Sequence, residues 1–336
     1  MTLKDKTTVT FYNGLNTIGG PMIEVAYGKS HVLFDLGEVY RPELNLPDES
    51  YQTLIQNKLI GDVPNFYDPK ITGKKIDTDR WEHSAAYMSH LHLDHSKAMN
   101  LLAPEIPLYA GPITAHMLPA LNEKGDFLLP AAGHKSNYTR SIIAAEYKKP
   151  IHVGDITLEI WPSDHDAYGA TGLIITTPDK KISYTGDIRL HGYHPDWVHE
   201  YLTASKGCDL FISEATGVSW PEEKNDKNSE EFTGPKNEKE LTEDIVNLQK
   251  KNPNRQITFN TYPTNVERLL RIIADSPRKV VLYAERAHLL KESFKKDYPY
   301  YYLPGDKKFT DLKSELEVSY SDLLNDDHEY LWQAVS

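Results

Sequence analysis

The chain has 336 residues, 39% of them hydrophobic and 26% charged, with a formal net charge of −12, which excludes wholesale disorder and a protein that coats nucleic acid through net charge alone. Its single cysteine, Cys208, excludes an internal disulfide framework, and no apolar run reaches the length of a membrane span. Together with the polar start "MTLKDKTTVT", these features predict a soluble, cytoplasmic protein with no membrane partner.

In chain order, "TTVTFYNG" reads as a strand, and "MIEVAY", "GKS" and "HVLFDLG" as strand, tight turn and returning strand, with Asp35 at its end. Residues 41–80 are polar, proline-rich and aperiodic, the pattern of a long surface excursion. "SAAYMSH" is a short buried strand, "SKAMNLLA" a helix with Ser96 as N-cap, "IPLYA" a strand and "PITAHMLPAL" a helix with an early proline. Between 151 and 190, "ITLEIWPSDH" is a strand ending in His165, and "TGLIITTP", "DKK" and "ISYTGD" form a hairpin ending at Asp187. "CDLFISEAT" is a further buried strand ending at Glu214, followed by a charged loop over 219–240. Helices and strands then alternate, which predicts a smaller parallel α/β unit.

The stretch "SHLHLDHS" concentrates metal-binding chemistry. In an extended segment His90 and His92 project from one face and grip one ion together, whereas the adjacent Asp94 and His95 diverge and address a second. Imidazole and carboxylate donors suit Zn²⁺ or Mn²⁺. His165 and Asp187 sit at strand ends where they can converge on this cluster. Read singly, one is an ordinary surface histidine and the other a turn residue. In combination, His165 completes the first site and Asp187 bridges both. Two divalent ions about 3.5–4 Å apart activate a water for hydrolysis of phosphodiesters or acyl bonds. No G-x-S-x-G elbow is present, and Cys208 lies in an apolar strand, so a covalent nucleophile is the weaker reading.

"GLNTIGGPMIEV", "VLFDLG", "SHLHLDHS", "PSDHDAYGATGLII" and "YTGDIRLHG" occur in the order found in metallo-β-lactamase-fold hydrolases, which the chain resembles. "DLFISEAT" through "NTYPTNVERLLRIIADSPRKVVL" is similar to the start of the extra domain of the β-CASP nucleases, and among these to the bacterial ribonuclease J-like proteins. The resemblance implies an α/β fold: an αββα sandwich forming a metal-binding domain over 1–213, with a partial β-CASP-like α/β domain over 214–336. It implies zinc held by His90, His92 and His165, a second zinc held by Asp94 and His95, and Asp187 between them. It also gives Asp35 a buttressing role, and Glu214 a role in positioning a catalytic histidine. Asp94, Asp35 and Glu214 are thus the candidate catalytic residues.

The family's later H-x-S-G-H segment and Pro-Val-His-type strand have no counterpart here, and His328 is a poor substitute. The chain is therefore expected to be C-terminally incomplete, with weakened second-metal occupancy and impaired turnover. The leading expectation is a zinc-dependent ribonuclease in RNA processing, with single-stranded RNA as substrate and a homodimer as the assembly. A small-molecule ester, lactone or phosphodiester hydrolase and a non-catalytic subunit are the alternatives.

Overall fold

The computed structural model describes residues 5–63, 65–214, 234–325 and 328–335. They divide into two compact units, one of residues 5–190 and 194–214, the other of 191–193 and the described residues from 234 onward.

In the first unit, short apolar runs build two sheets. One has the order β1 (Thr8–Asn13), β2 (Met22–Tyr27), β3 (Ser30–Phe34), β4 (Ser84–Met88), β5 (Leu108–Ala110) and β6 (Ile143–Ala144). Its first pairings are antiparallel, and from β3 onward they are parallel. The second sheet runs β7 (Pro150–Val153), β8 (Ile156–Pro162), β9 (Thr171–Thr176) and β10 (Lys181–Tyr184) as an antiparallel meander, with β11 (Leu210–Ile212) parallel to β10. Period-two patterning turns Ile156, Leu158 and Ile160 of β8 inward. They meet Val32, Phe34 and Tyr87 of the first sheet in one core with Leu173, Ile175 and Tyr184. Each fully buried side chain of this size contributes about 1.5–3 kcal/mol.

Five helices lie on this unit among its described residues: α1 (Tyr51–Gln56), α2 (Pro69–Thr72), α3 (Leu93–Ser96), α4 (Pro112–Leu121) and α5 (Pro195–Ala204). Helix α4 packs on β5 and β6 and α5 on β8, which completes an αββα arrangement.

Several local expectations need correction: "SKAMNLLA" forms no α-helix but a short 3-10 turn over Met99–Leu101, and β11 is not buried, since Leu210 and Phe211 are exposed. The 41–80 segment is no mere surface excursion, because Leu54, Phe66 and Tyr67 are buried and the Tyr67 hydroxyl donates to the Gly61 carbonyl. Its apolar anchors are irregularly spaced, so no periodicity announces them. Ser96 is not an N-cap. His92 holds that position, and the Ser96 hydroxyl donates instead to the carbonyls of Leu91 and His92.

The second unit has a wholly parallel sheet of order β12 (Ile257–Phe259), β15 (Tyr330–Gln333), β13 (Lys279–Tyr283) and β14 (Tyr300–Tyr301). Helices α6 (Glu238–Lys251), α7 (Val266–Asp275), α8 (Ala284–Phe294) and α9 (Tyr320–Asn325) alternate with the strands. Asn237 and Asn265 cap α6 and α7, and α7 buries Val266, Leu269 and Ile272 on one stripe. Val281, Tyr301, Val318, Leu323 and Trp332 form its core. Among the described residues, no helix is long and apolar enough to cross a membrane.

Candidate metal centre

Strand β4 carries the chain to the edge of the sandwich, and Thr171 pins its end there by donating its N–H (3.0 Å) and hydroxyl (2.9 Å) to the Ser89 carbonyl. His90 follows in extended chain. His92, at φ −64° and ψ 145°, is still extended when α3 begins, so Asp94 and His95 fall in the first helical turn. His165 lies three residues beyond β8 and Asp187 three beyond β10.

These segments converge. Ligand atoms of His90, His92, His165 and Asp187 form one group, and those of Asp94, His95 and Asp187 a second, with all atoms within 4.8 Å of one another in each. Asp187 belongs to both through different oxygens. Its Oδ2 lies 3.9 Å from His90 Nε2 and 3.7 Å from His165 Nε2, while its Oδ1 lies 3.2 Å from His95 Nε2. Asp94 Oδ2 is 3.6 Å from the same His95 nitrogen. The other histidines join neither group among the described residues.

The electrostatics fit a cation. Burial, with the neighbouring imidazoles adding to it, holds His90 well below the usual histidine range. Burial likewise lowers His92 and takes His165 down to about 4. Three neutral imidazoles therefore offer lone pairs at neutral pH. His90 Nε2 is buried with no hydrogen-bond partner, an orphan that a metal ion satisfies. Burial raises Asp94. For Asp187 burial acts upward, yet hydrogen bonding and charge from His95, with His165 and His92, bring it down to about 2. His95 is raised despite burial, because Asp35 and Asp187 flank it.

Asp35 holds His95 in place. Wholly buried and at φ +57°, its carboxylate accepts from His95 Nδ1 (2.8 Å), Ser89 N (2.7 Å), the Ser89 hydroxyl (2.8 Å) and the Tyr184 hydroxyl (2.5 Å). That contact commits Nδ1 and leaves Nε2 facing Asp187. Glu214 lies outside both groups; its Oε1 accepts from Ile188 N at 3.0 Å, next to Asp187.

Several contributors escape sequence reasoning. Asp166 Oδ1 lies 3.1 Å from His165 Nε2 and 3.5 Å from His92 Nε2. Asp164 accepts from Arg189 Nε at 2.7 Å. The acidic flanks of "SDHDAY" were the available signal. Glycines 19 and 37 make room for Asp94: a Cβ on Gly37 would lie 1.4 Å from the Asp94 carbonyl oxygen, and one on Gly19 2.3 Å from its Oδ2.

Residues 78–235 match the family model of the β-lactamase superfamily domain. A crystal structure of a protein of unknown function from Enterococcus faecalis V583 superposes with a TM-score of 0.90 at 45% identity, over 98% of this chain and 77% of that one. The chain is 26% identical over 219 residues to a ribonuclease J of Pyrococcus abyssi and 25% identical over 232 residues to one of Helicobacter pylori. These matches take in 61% and 64% of the chain but 44% and 29% of the relatives, so it spans less than half of the curated relatives it matches.

Proposed function

From the match of residues 78–235 to the β-lactamase superfamily domain, we propose that the chain is a zinc-dependent phosphodiesterase of the β-CASP branch that cleaves single-stranded RNA. The observation that carries this reading is Asp187, which presents one oxygen to His90 and His165 and the other to His95, as a carboxylate between two cations does. In this reading residues 1–213 form the metal-binding domain and 214–336 belong to a β-CASP-like α/β domain.

His90, His92, His165 and Asp187 would hold one zinc, and Asp94, His95 and Asp187 the other; manganese suits the same donors. The ions supply Lewis acidity at neutral pH and offset the negative charge of the attacked phosphate. Asp94 would help orient the attacking water beside the second group of ligands. Asp35 keeps the His95 ring fixed, so this side chain does not reorganise as charge develops. Glu214 acts as a positioning residue through Ile188 N, steadying the segment that bears Asp187.

The test is cleavage of a single-stranded RNA oligonucleotide by zinc-loaded protein. Cleavage is expected to vanish in EDTA and in His92→Ala and Asp187→Ala; RNA cleavage that survives all three overturns the proposal. The net charge of −12 favours a second reading, a small ester, lactone or phosphodiester as substrate, because a nucleic-acid channel wants Lys and Arg. Turnover of such compounds without RNA cleavage would select it.

A further inference from the structure

A cavity of about 370 Å³ lies in the first unit, lined by residues around α2, the chain before β5 and the segment leading to β6, and it contains none of the candidate metal ligands. Its volume falls within the range of small-molecule sites, about 300–1,000 Å³. In its wall sits Arg140, 8% exposed. One guanidinium nitrogen, Nη2, donates to the carbonyls of Ile106 (2.6 Å) and Ala103 (3.2 Å). The single N–H of Nε and the two of Nη1 are buried and find no acceptor. Among the described residues, no carboxylate lies within ion-pair distance of Arg140.

A guanidinium stays protonated at neutral pH, so this charge is taken out of water without a counter-ion, which is unfavourable. Burial lowers its pKa to about 10, with Tyr138 and Glu105 opposing the shift from a distance. Water in the cavity would satisfy the hydrogen bonds but supply no charge. An anion supplies both, and phosphate oxygens match several guanidinium N–H groups at once. Lys70, exposed at the cavity wall, adds a second cation.

The remaining lining narrows the ligand. Asp68, whose carboxylate caps α2 at Lys70 N, and the exposed Glu105 also face the cavity, which disfavours a polyanion and suits a hydroxylated body. We propose that this cavity binds a small organic phosphate monoester, with Arg140 receiving the phosphate and Asp68 and Glu105 lining the side that takes the hydroxylated portion. The site is independent of the metal centre and of the reaction proposed there.

The test titrates the full chain, with and without EDTA, with ribose 5-phosphate, inorganic phosphate and gluconate, reading calorimetric heat and the rise in Tm. Ribose 5-phosphate is expected to bind saturably below about 10 mM, more tightly than the other two and unaffected by EDTA or His92→Ala. Arg140→Met removes the anchor and should weaken binding by about tenfold to a hundredfold, the scale of a charge-assisted hydrogen bond. Because Arg140 also ties down Ala103 and Ile106, Lys70→Glu serves as the variant that leaves the core untouched, with a loss of about tenfold expected. Absence of saturable ribose 5-phosphate binding overturns the proposal. So does equal affinity for inorganic phosphate or gluconate, unchanged affinity in Lys70→Glu, or loss of binding in His92→Ala.

Discussion

Arg189 is anchored to Asp164 twice, by a 2.7 Å contact from its Nε to Oδ1 and by its backbone N–H donating to the Asp164 carbonyl at 2.8 Å. Both side chains are buried. The pair fastens the segment carrying His165 to the segment carrying Asp187, and so sets the span across which the first group of ligand atoms closes. Asp164→Ala should therefore lower zinc affinity by about 10–100-fold although no ligand changes. Competition with a chelating dye measures it, and unchanged affinity would show that the two segments hold their spacing without the tie.

The carboxylate of Asp35 accepts four hydrogen bonds in a wholly buried setting. Asp35→Asn tolerates the left-handed backbone but loses the charge opposite His95, and second-metal affinity is expected to fall by about 10–100-fold. Asp35→Ala additionally strands Ser89 and Tyr184, and a stability loss on the order of 3–5 kcal/mol is expected by urea denaturation.

Gly37→Ala tests the space around Asp94. Its Cβ would overlap the Asp94 carbonyl, so the α3 segment has to move. We expect metal content to drop and stability to fall by about 1–3 kcal/mol or more. Gly133→Ala is the control. At φ +74° with nothing within 4 Å of its Cβ, it should cost about 1–2 kcal/mol and leave metal content intact.

Acid stability should depend on Glu24, away from the metal centre. Burial acts to raise this carboxyl, but hydrogen bonds from His31 and Tyr12 and the charge of Arg80 outweigh it, so its folded pKa lies below the unfolded one. Its contribution is therefore present above the unfolded carboxyl value of about 4.3 and is lost as pH falls through the folded pKa. Glu24→Gln is expected to flatten the acid limb of the Tm–pH curve and to cost about 1.5–3 kcal/mol at neutral pH. An acid limb as steep as that of the wild type would refute this assignment.

How much of this was legible in the sequence depends on whether the signal is local. The spacing of His90, His92, Asp94 and His95 encodes its own geometry, because extended chain turning into a helix divides the four residues between two directions. Short apolar runs bounded by turn signals likewise located β2, β3, β8 and β9. His165 and Asp187 could be placed only by their position after strands. The Asp164–Arg189 tie, the Tyr184 hydroxyl on Asp35 and the lone guanidinium of Arg140 left no local mark. Each depends on residues brought together from distant parts of the chain, and neither propensity nor periodicity carries that information.

The first group of ligand atoms also has a topological consequence. It joins His90 to Asp187, positions 97 residues apart (187 − 90), and it draws one side chain set from the end of β4 and another from the ends of β8 and β10. An ion seated there acts as a clasp across the two leaves of the sandwich. Because the ligands come together only in the folded chain, an ion bound there would stabilise the folded state by RT ln(1 + [ion]/Kd) and be released on unfolding. Metal occupancy and the cohesion of the two sheets are thus a single thermodynamic quantity, and chelation loosens the scaffold as well as the chemistry.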